Sequence, residues 1–148
     1  MFSQTIRSLL LRDLQKLQHE ISSYQQEANL WKTDKNITNS AGHLCLHLVG
    51  NLNTYIGAVL GNSGYIRDRE AEFSRKNVSQ TELVEQIIYT RQMVDQTLHE
   101  IDEAQLEKDY PLLVLQDRTT TGYFLVHLAG HLNYHLGQIN YHRRLLDV

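Results

Sequence analysis

The sequence predicts an all-α protein, a four-helix bundle formed by one domain over residues 1–148. Apolar residues recur at spacings of three and four in four long stretches, which is the pattern of a helix with one buried face. The chain contains only one proline, so little in it interrupts a long helix. Four amphipathic helices bury their apolar faces most simply against one another, and 148 residues suffice for one such domain.

The first predicted helix spans about residues 2–27, where charged and amide residues fill the face opposite the apolar stripe. A polar stretch at 31–39 follows and predicts a loop. The second predicted helix begins at Asn39 or Ser40, either of which can cap it, and continues to about Leu60. The sequence GNSG at 61–64 ends it, because glycine tolerates the left-handed conformation that closes helices.

The charged, aperiodic segment 65–78 predicts a long ordered loop that could include one short turn of helix. Ser79 and Glu82 then form an S-x-x-E pattern, which predicts a capping box at the start of the third helix, ending near residue 102. Residues 112–116 are ambiguous and could be extended. The fourth helix is expected from 119–121 almost to the end. Because the two middle connections are long, the helices need not alternate simply up and down.

Composition excludes several classes of function. With 14 basic and 17 acidic residues and no Lys/Arg block, the chain lacks the positive surface of a nucleic-acid-binding protein. Its apolar runs are far shorter than the roughly 20 residues of a membrane span. The single cysteine, Cys45, excludes an internal disulfide and a multi-cysteine metal site. The N-terminus lacks the pattern of a signal peptide, and by elimination we expect a cytoplasmic protein.

The eight histidines are concentrated in two of the predicted helices. His43 and His47 lie four residues apart on the second helix, and His127, His131 and His135 continue the same step on the fourth. Side chains four apart share a helix face. Two imidazoles from one helix and a third from its neighbour could therefore bind one ion and leave a coordination position open, as in catalytic zinc sites. Spacing alone does not choose among the five, and histidines that merely form hydrogen bonds at the core boundary are the alternative.

A family resemblance narrows this choice. The string HLAGHLNYHLGQINYHRRLL resembles the last helix of the DinB-like metal-binding superfamily, which commonly ends in H-x3-H-x-G-Q, and SAGHLCLHLVGNL resembles its second helix. The acidic segment ending in AEF at 71–73 is also similar to that family. The resemblance implies one divalent metal ion with His47, His131 and His135 as its ligands. Zinc and nickel are the first candidates, although imidazole also suits copper and iron.

Three other residues could contribute to such a site, and a fourth, Cys45, lies near them in the sequence. His43 and His127 could support the ligands or replace one of them. Alternatively, they are residues at the edge of the core that form hydrogen bonds to the backbone. Gln138, within the G-Q pair, could orient a ligand or a bound water, or be an ordinary polar contact. Cys45 is expected on a different helix face from His43 and His47, as a small core residue.

The resemblance also implies an activity. Members of the superfamily include bacillithiol transferases and a mycothiol-dependent maleylpyruvate isomerase, in which the metal binds a low-molecular-weight thiol as thiolate and a small-molecule substrate is attacked. Homodimers are common among such proteins. Two other functions remain open, a non-catalytic metal-binding protein related to stress and a metal-free helical interaction module. The sequence identifies no general base.

Overall fold

The computed structural model describes residues 1–148 and confirms the all-α class, with two isolated β-bridges and no strand. The elements in chain order are α1 (Phe2–Ser22), a 3-10 helix (Glu27–Trp31), α2 (Ala41–Leu52), a π-helix continuing it (Asn53–Ala58), α3 (Arg69–Ser74), α4 (Gln80–His99), α5 (Glu103–Glu107) and α6 (Thr121–Leu146). The four long helices are therefore α1, α2 with its π extension, α4 and α6. None of the helices is both long and apolar enough to cross a membrane.

The first helix ends at Ser22 rather than near residue 27. The chain leaves the helix there and inserts Leu30, which is fully buried, into the core from the following 3-10 turn. The carboxylate of Asp147 accepts the backbone N–H of Gln25 at 2.7 Å and so satisfies a donor outside the helix. This contact comes from the far end of the chain, so local periodicity could not locate the end of the helix.

The second predicted helix has nearly the expected extent but two patterns of backbone hydrogen bonding. Ser40, not Asn39, caps its start by accepting the backbone N–H of His43 at 3.2 Å. From Asn53 onward the helix widens into a π-helix. The buried Asn53 amide donates to Thr90 Oγ1 of α4 at 2.8 Å and to the Val49 carbonyl at 2.9 Å. The bond to Thr90 ties the π segment to α4.

Helix starts were predicted only in part. Ser79 accepts the backbone N–H of Glu82 as expected, but the return bond of a capping box is not made, and the Glu82 carboxylate instead lies 3.4 Å from Arg75. The reciprocal capping box occurs at Asp102 and Gln105, where it starts the short helix α5, which the sequence analysis missed. Residues 112–116 form no strand.

The core is one cluster of 29 buried apolar residues drawn from all four long helices. α1 packs against α4 and α6, and α2 packs against the same two helices. The order around the bundle is therefore α1, α4, α2, α6. This arrangement makes α2 and α6, the two histidine-bearing helices, direct neighbours. The segment predicted as a loop contains α3, which packs on α2.

Candidate metal centre

Three histidines meet where α2 and α6 pack together. His47 is contributed by α2, and His131 and His135 come from successive turns of α6. One nitrogen from each ring can be chosen so that all three lie within 4.8 Å of one another. The Nε2 atoms of His47 and His131 are 3.2 Å apart. His47 is buried and the other two are half-buried, so the cluster lies at the edge of the core.

The outer nitrogens of two of these rings are already engaged. His47 Nδ1 lies 3.1 Å from Glu72 Oε1, and His135 Nδ1 lies 2.7 Å from Gln138 Oε1. Carboxylate and amide oxygens only accept, so each Nδ1 carries the proton and donates it. The lone pairs of both rings are then on Nε2, which in His47 is the atom that lies 3.2 Å from His131 Nε2. Partners of this kind fix the tautomer and orientation of metal-binding histidines.

Glu72 is held in place from two sides. Arg67 donates to it twice, from Nε to Oε2 at 2.7 Å and from Nη2 to Oε1 at 2.9 Å. On the other side, a Cβ added at Gly50 would lie 2.1 Å from Glu72 Oε2, so only glycine at this turn of α2 leaves room for the carboxylate. The carboxylate is 94% buried, since its residue is 6% exposed. Its orientation toward His47 is therefore fixed by packing and by a two-bond ion pair.

Arg67 and Glu72 were not predicted as parts of this site. The segment AEF at 71–73 was noted for its resemblance, but no spacing rule links a carboxylate to a histidine 25 positions earlier on another helix. The available signal was Glu72 beside the aromatic Phe73 in an otherwise polar loop. The ring of Phe73 does lie against His47, with ring centres 5.2 Å apart.

The environment of His131 and His47 favours their uncharged forms. Burial, and then the neighbouring histidines, lower the pKa of His131 to about 4. Burial also lowers the pKa of His47, although Glu72 opposes the effect. Neutral imidazoles are the form that binds metal ions. In addition, His131 Nδ1 is a buried nitrogen with no hydrogen-bond partner.

The spacing of His47 and His131 fits a tetrahedral ion. Two nitrogens bound to one zinc at about 2.0–2.1 Å lie about 3.3 Å apart in tetrahedral geometry. The measured Nε2 separation of His47 and His131 is 3.2 Å. Three neutral nitrogens fill three positions of such an ion and leave the fourth open.

The other histidines on these helices are not part of the cluster. His43 Nε2 bonds to the Arg75 carbonyl at 2.8 Å, and its ring lies edge-on to Trp31, so it matches the backbone-bonded alternative. His127 is exposed, stacks on Phe124, and has its ring centre 6.4 Å from that of His131. It lies at the rim of the cluster.

Two further residues have clear positions. Cys45 is fully buried, and burial raises the pKa of its thiol to about 12. It is a core residue and not a nucleophile. His142 is also buried, with Nδ1 2.7 Å from the Tyr24 hydroxyl and Nε2 2.8 Å from the Lys32 carbonyl. It links the end of α6 to the segment after α1 and takes no part in the cluster.

Comparison with known proteins gives one family. The family model described as a protein of unknown function, DUF1572, matches residues 2–147. None of the curated proteins matches the chain.

Proposed function

We propose that this chain, which belongs to the DUF1572 family of proteins of unknown function, binds one divalent metal ion through His47, His131 and His135 in the manner of the DinB-like superfamily. A single observation carries the proposal. The Nδ1 protons of His47 and His135 are committed to Glu72 and Gln138, which leaves the Nε2 lone pair of each ring free, and one nitrogen of each of the three rings lies within 4.8 Å of the others.

A metal-free cluster of hydrogen-bonded histidines accounts for less of this geometry. In such a cluster His131 Nε2 can donate its proton to His47 Nε2, which lies 3.2 Å away. The Nε2 lone pair of His135 then has no donor within the cluster, whereas His131 Nδ1 has no partner with or without a metal. A cation placed among the three nitrogens binds all three lone pairs at once. Zinc and nickel are the first candidates, because imidazole suits both and the nitrogens alone do not separate them.

We propose further that the protein is a metal-dependent enzyme of the thiol-transferase type, acting with a low-molecular-weight thiol. A divalent ion with an open position would lower the pKa of a coordinated thiol and hold it as thiolate at neutral pH. Glu72 and Gln138 would keep the ligand rings in place. The thiol would have to come from a second substrate, because the only cysteine of the chain is fully buried.

Elemental analysis of protein purified without a metal-affinity tag tests the metal site. We expect about one divalent ion per chain, and its loss in His47→Ala and His131→Ala. His99→Ala is the matched control, since His99 is exposed at the end of α4. A protein that contains no divalent metal and takes up neither zinc nor nickel on titration would contradict the proposal and favour a helical interaction module.

A transfer assay tests the activity separately. The metal-loaded protein would be mixed with 1-chloro-2,4-dinitrobenzene and each of several low-molecular-weight thiols. We expect thioether formation with at least one thiol, dependent on the metal and lost in His131→Ala. If metal binds at full stoichiometry and no thiol reacts faster than in buffer, the protein is a non-catalytic metal-binding protein.

A further inference from the structure

A cleft of about 690 Å³ lies beside the histidine cluster, on the face of α6 toward α2. Its walls are α6, Leu44 of α2 and the segment 36–39. The cleft lies on the Nδ1 side of His135. Gln138, which accepts the His135 Nδ1 proton, is part of its wall. Tyr134, whose ring centre is 5.2 Å from that of His135, is another part of the wall. The cleft therefore adjoins the proposed metal ligand without including it.

None of the 12 residues that line the cleft is Asp, Glu, Lys or Arg. Its only imidazole, His142, is neutral, because Nδ1 accepts from the Tyr24 hydroxyl while Nε2 donates to the Lys32 carbonyl. Two basic groups lie nearby, one paired with a carboxylate outside the cleft and one against a ring of the lining. Arg143 bonds to Glu20 at 2.7 Å, and Arg144 stacks on the Tyr141 ring at 5.2 Å. The lining itself therefore carries no charge.

The polar groups of the lining are mostly amides. Asn36, Asn39, Gln138 and Asn140 contribute side-chain amides, each of which can both donate and accept. Gln138 uses its oxygen for His135 and leaves its amide nitrogen to donate. Amide and hydroxyl groups of a ligand would find partners here. A charged group would lose part of its hydration and meet no opposite charge.

We propose that this cleft binds the uncharged part of the molecule whose other end occupies the open metal position, a chain or ring that bears amide or hydroxyl groups. The inference rests on the proposed metal site and specifies the class of ligand that the site accepts. Tyr141, 63% exposed, would provide a ring face for this part of the ligand. The cleft then acts as a selector against ligands with charged ends.

Calorimetry on the zinc-loaded protein with acetohydroxamate and six longer hydroxamates tests the proposal. Acetohydroxamate probes the metal position alone. Three longer hydroxamates of equal length end in a primary amide, a carboxylate or an ammonium group, each made with four and with six methylenes. We expect the amide-ended compound of one length to bind about tenfold more tightly than acetohydroxamate and than both charged compounds, a difference of about 1.4 kcal/mol.

Matched variants locate the effect. Tyr141→Ala is expected to remove most of the gain of the amide-ended compound, whereas Tyr123→Ala leaves it unchanged. Both tyrosines lie on α6 with exposures of 63% and 62%, but only Tyr141 lines the cleft. Leu145→Lys places a positive charge in the lining and should shift the preference to the carboxylate-ended compound. Leu113→Lys, at a similarly exposed position outside the cleft, should not.

The outcomes separate the two proposals. A protein without metal, or one that fails to bind acetohydroxamate, overturns the metal site as an open site and the cleft proposal with it. Metal and acetohydroxamate binding with no preference for the amide end overturns the cleft proposal alone. Equal losses in Tyr141→Ala and Tyr123→Ala do the same.

Discussion

The Nε2 atoms of His47 and His131 lie 3.2 Å apart, although 84 positions separate the two residues along the chain. The two nitrogens are this close because α2 and α6 are neighbours in the bundle and because Glu72 orients the His47 ring from outside the cluster. Both conditions can be tested separately.

Glu72→Gln is expected to weaken zinc affinity by about 10- to 100-fold, the usual cost of removing the partner of a metal-binding histidine. The amide loses the negative charge that favours His47 Nδ1–H as donor and disrupts the two bonds from Arg67. Competition with a fluorescent zinc chelator measures the change. Glu70→Gln, on the exposed side of the same short helix, is the control and should keep wild-type affinity. Equal affinities for all three proteins would refute the role of Glu72.

Gly50→Ala should cause the same loss of zinc affinity, although it substitutes no polar side chain. The added Cβ would lie 2.1 Å from Glu72 Oε2, so the carboxylate must move away from His47. The same chelator competition reads out the effect. Gly130→Ala is the control, because a Cβ at that position of α6 meets nothing within 4 Å. A Gly50→Ala protein with unchanged zinc affinity would mean that the position of the carboxylate does not matter.

The metal should stabilise the fold. A ligand that binds only the folded state adds about 2.7 kcal/mol to the free energy of unfolding at 100 times its dissociation constant. We expect a higher melting temperature with zinc or nickel, reversed by EDTA and absent in His131→Ala. The His99→Ala protein should show the full shift. A melting temperature that neither ion changes at saturating concentration would count against the site.

The metal-free protein should lose stability as the pH falls below about 6.5. Burial lowers the pKa of His142, His131 and His47 in the folded state, that of His131 to about 4. The unfolded chain, with histidine pKa values near 6.5, therefore binds these protons first, and protonation favours unfolding between about pH 6.5 and 4. Urea unfolding of the apo protein at a series of pH values measures the slope.

His142→Gln provides the comparison for this pH dependence. Of the three titrating histidines, His142 is the one that lies outside the metal cluster. Its free energy of unfolding should fall less steeply between pH 7 and pH 5 than that of the wild type. A wild-type stability that stays constant over this interval would show that the buried histidines do not titrate as the structure indicates.

Cys45 should be inert in the native protein. Its side chain is 0% exposed, and burial raises the pKa of the thiol to about 12, so almost no thiolate forms at neutral pH. Iodoacetamide should label it only after denaturation, as measured by mass spectrometry. Cys45→Ala should retain any thiol-transfer activity, at a stability cost of about 1 kcal/mol. Rapid stoichiometric labelling of the folded protein would contradict this assignment.

Much of the fold could be predicted because helical periodicity is a local signal. The stripes of α1, α4 and α6 each place an apolar residue on one face every three or four positions, and a buried face requires this spacing. The predicted helix ends and caps were wrong where a group distant in sequence supplies a contact that was expected from a neighbouring residue. Asp147 bonds to the backbone beyond the end of α1, and Glu82 interacts with Arg75 instead of closing its own cap.

The features of the candidate site likewise fall into those set by local sequence and those set by contacts between distant residues. By itself the sequence determined that His131 and His135 share a face of one helix and that His47 lies on another, because a step of four residues fixes the relation of side chains on a helix. Only the tertiary structure decided that α2 and α6 are neighbours, that His43 turns to the Arg75 carbonyl, and that Glu72 with Arg67 orients His47. The contacts of the histidines in this set join residues 25 to 84 positions apart. No local pattern encodes them, because they depend on how whole helices pack.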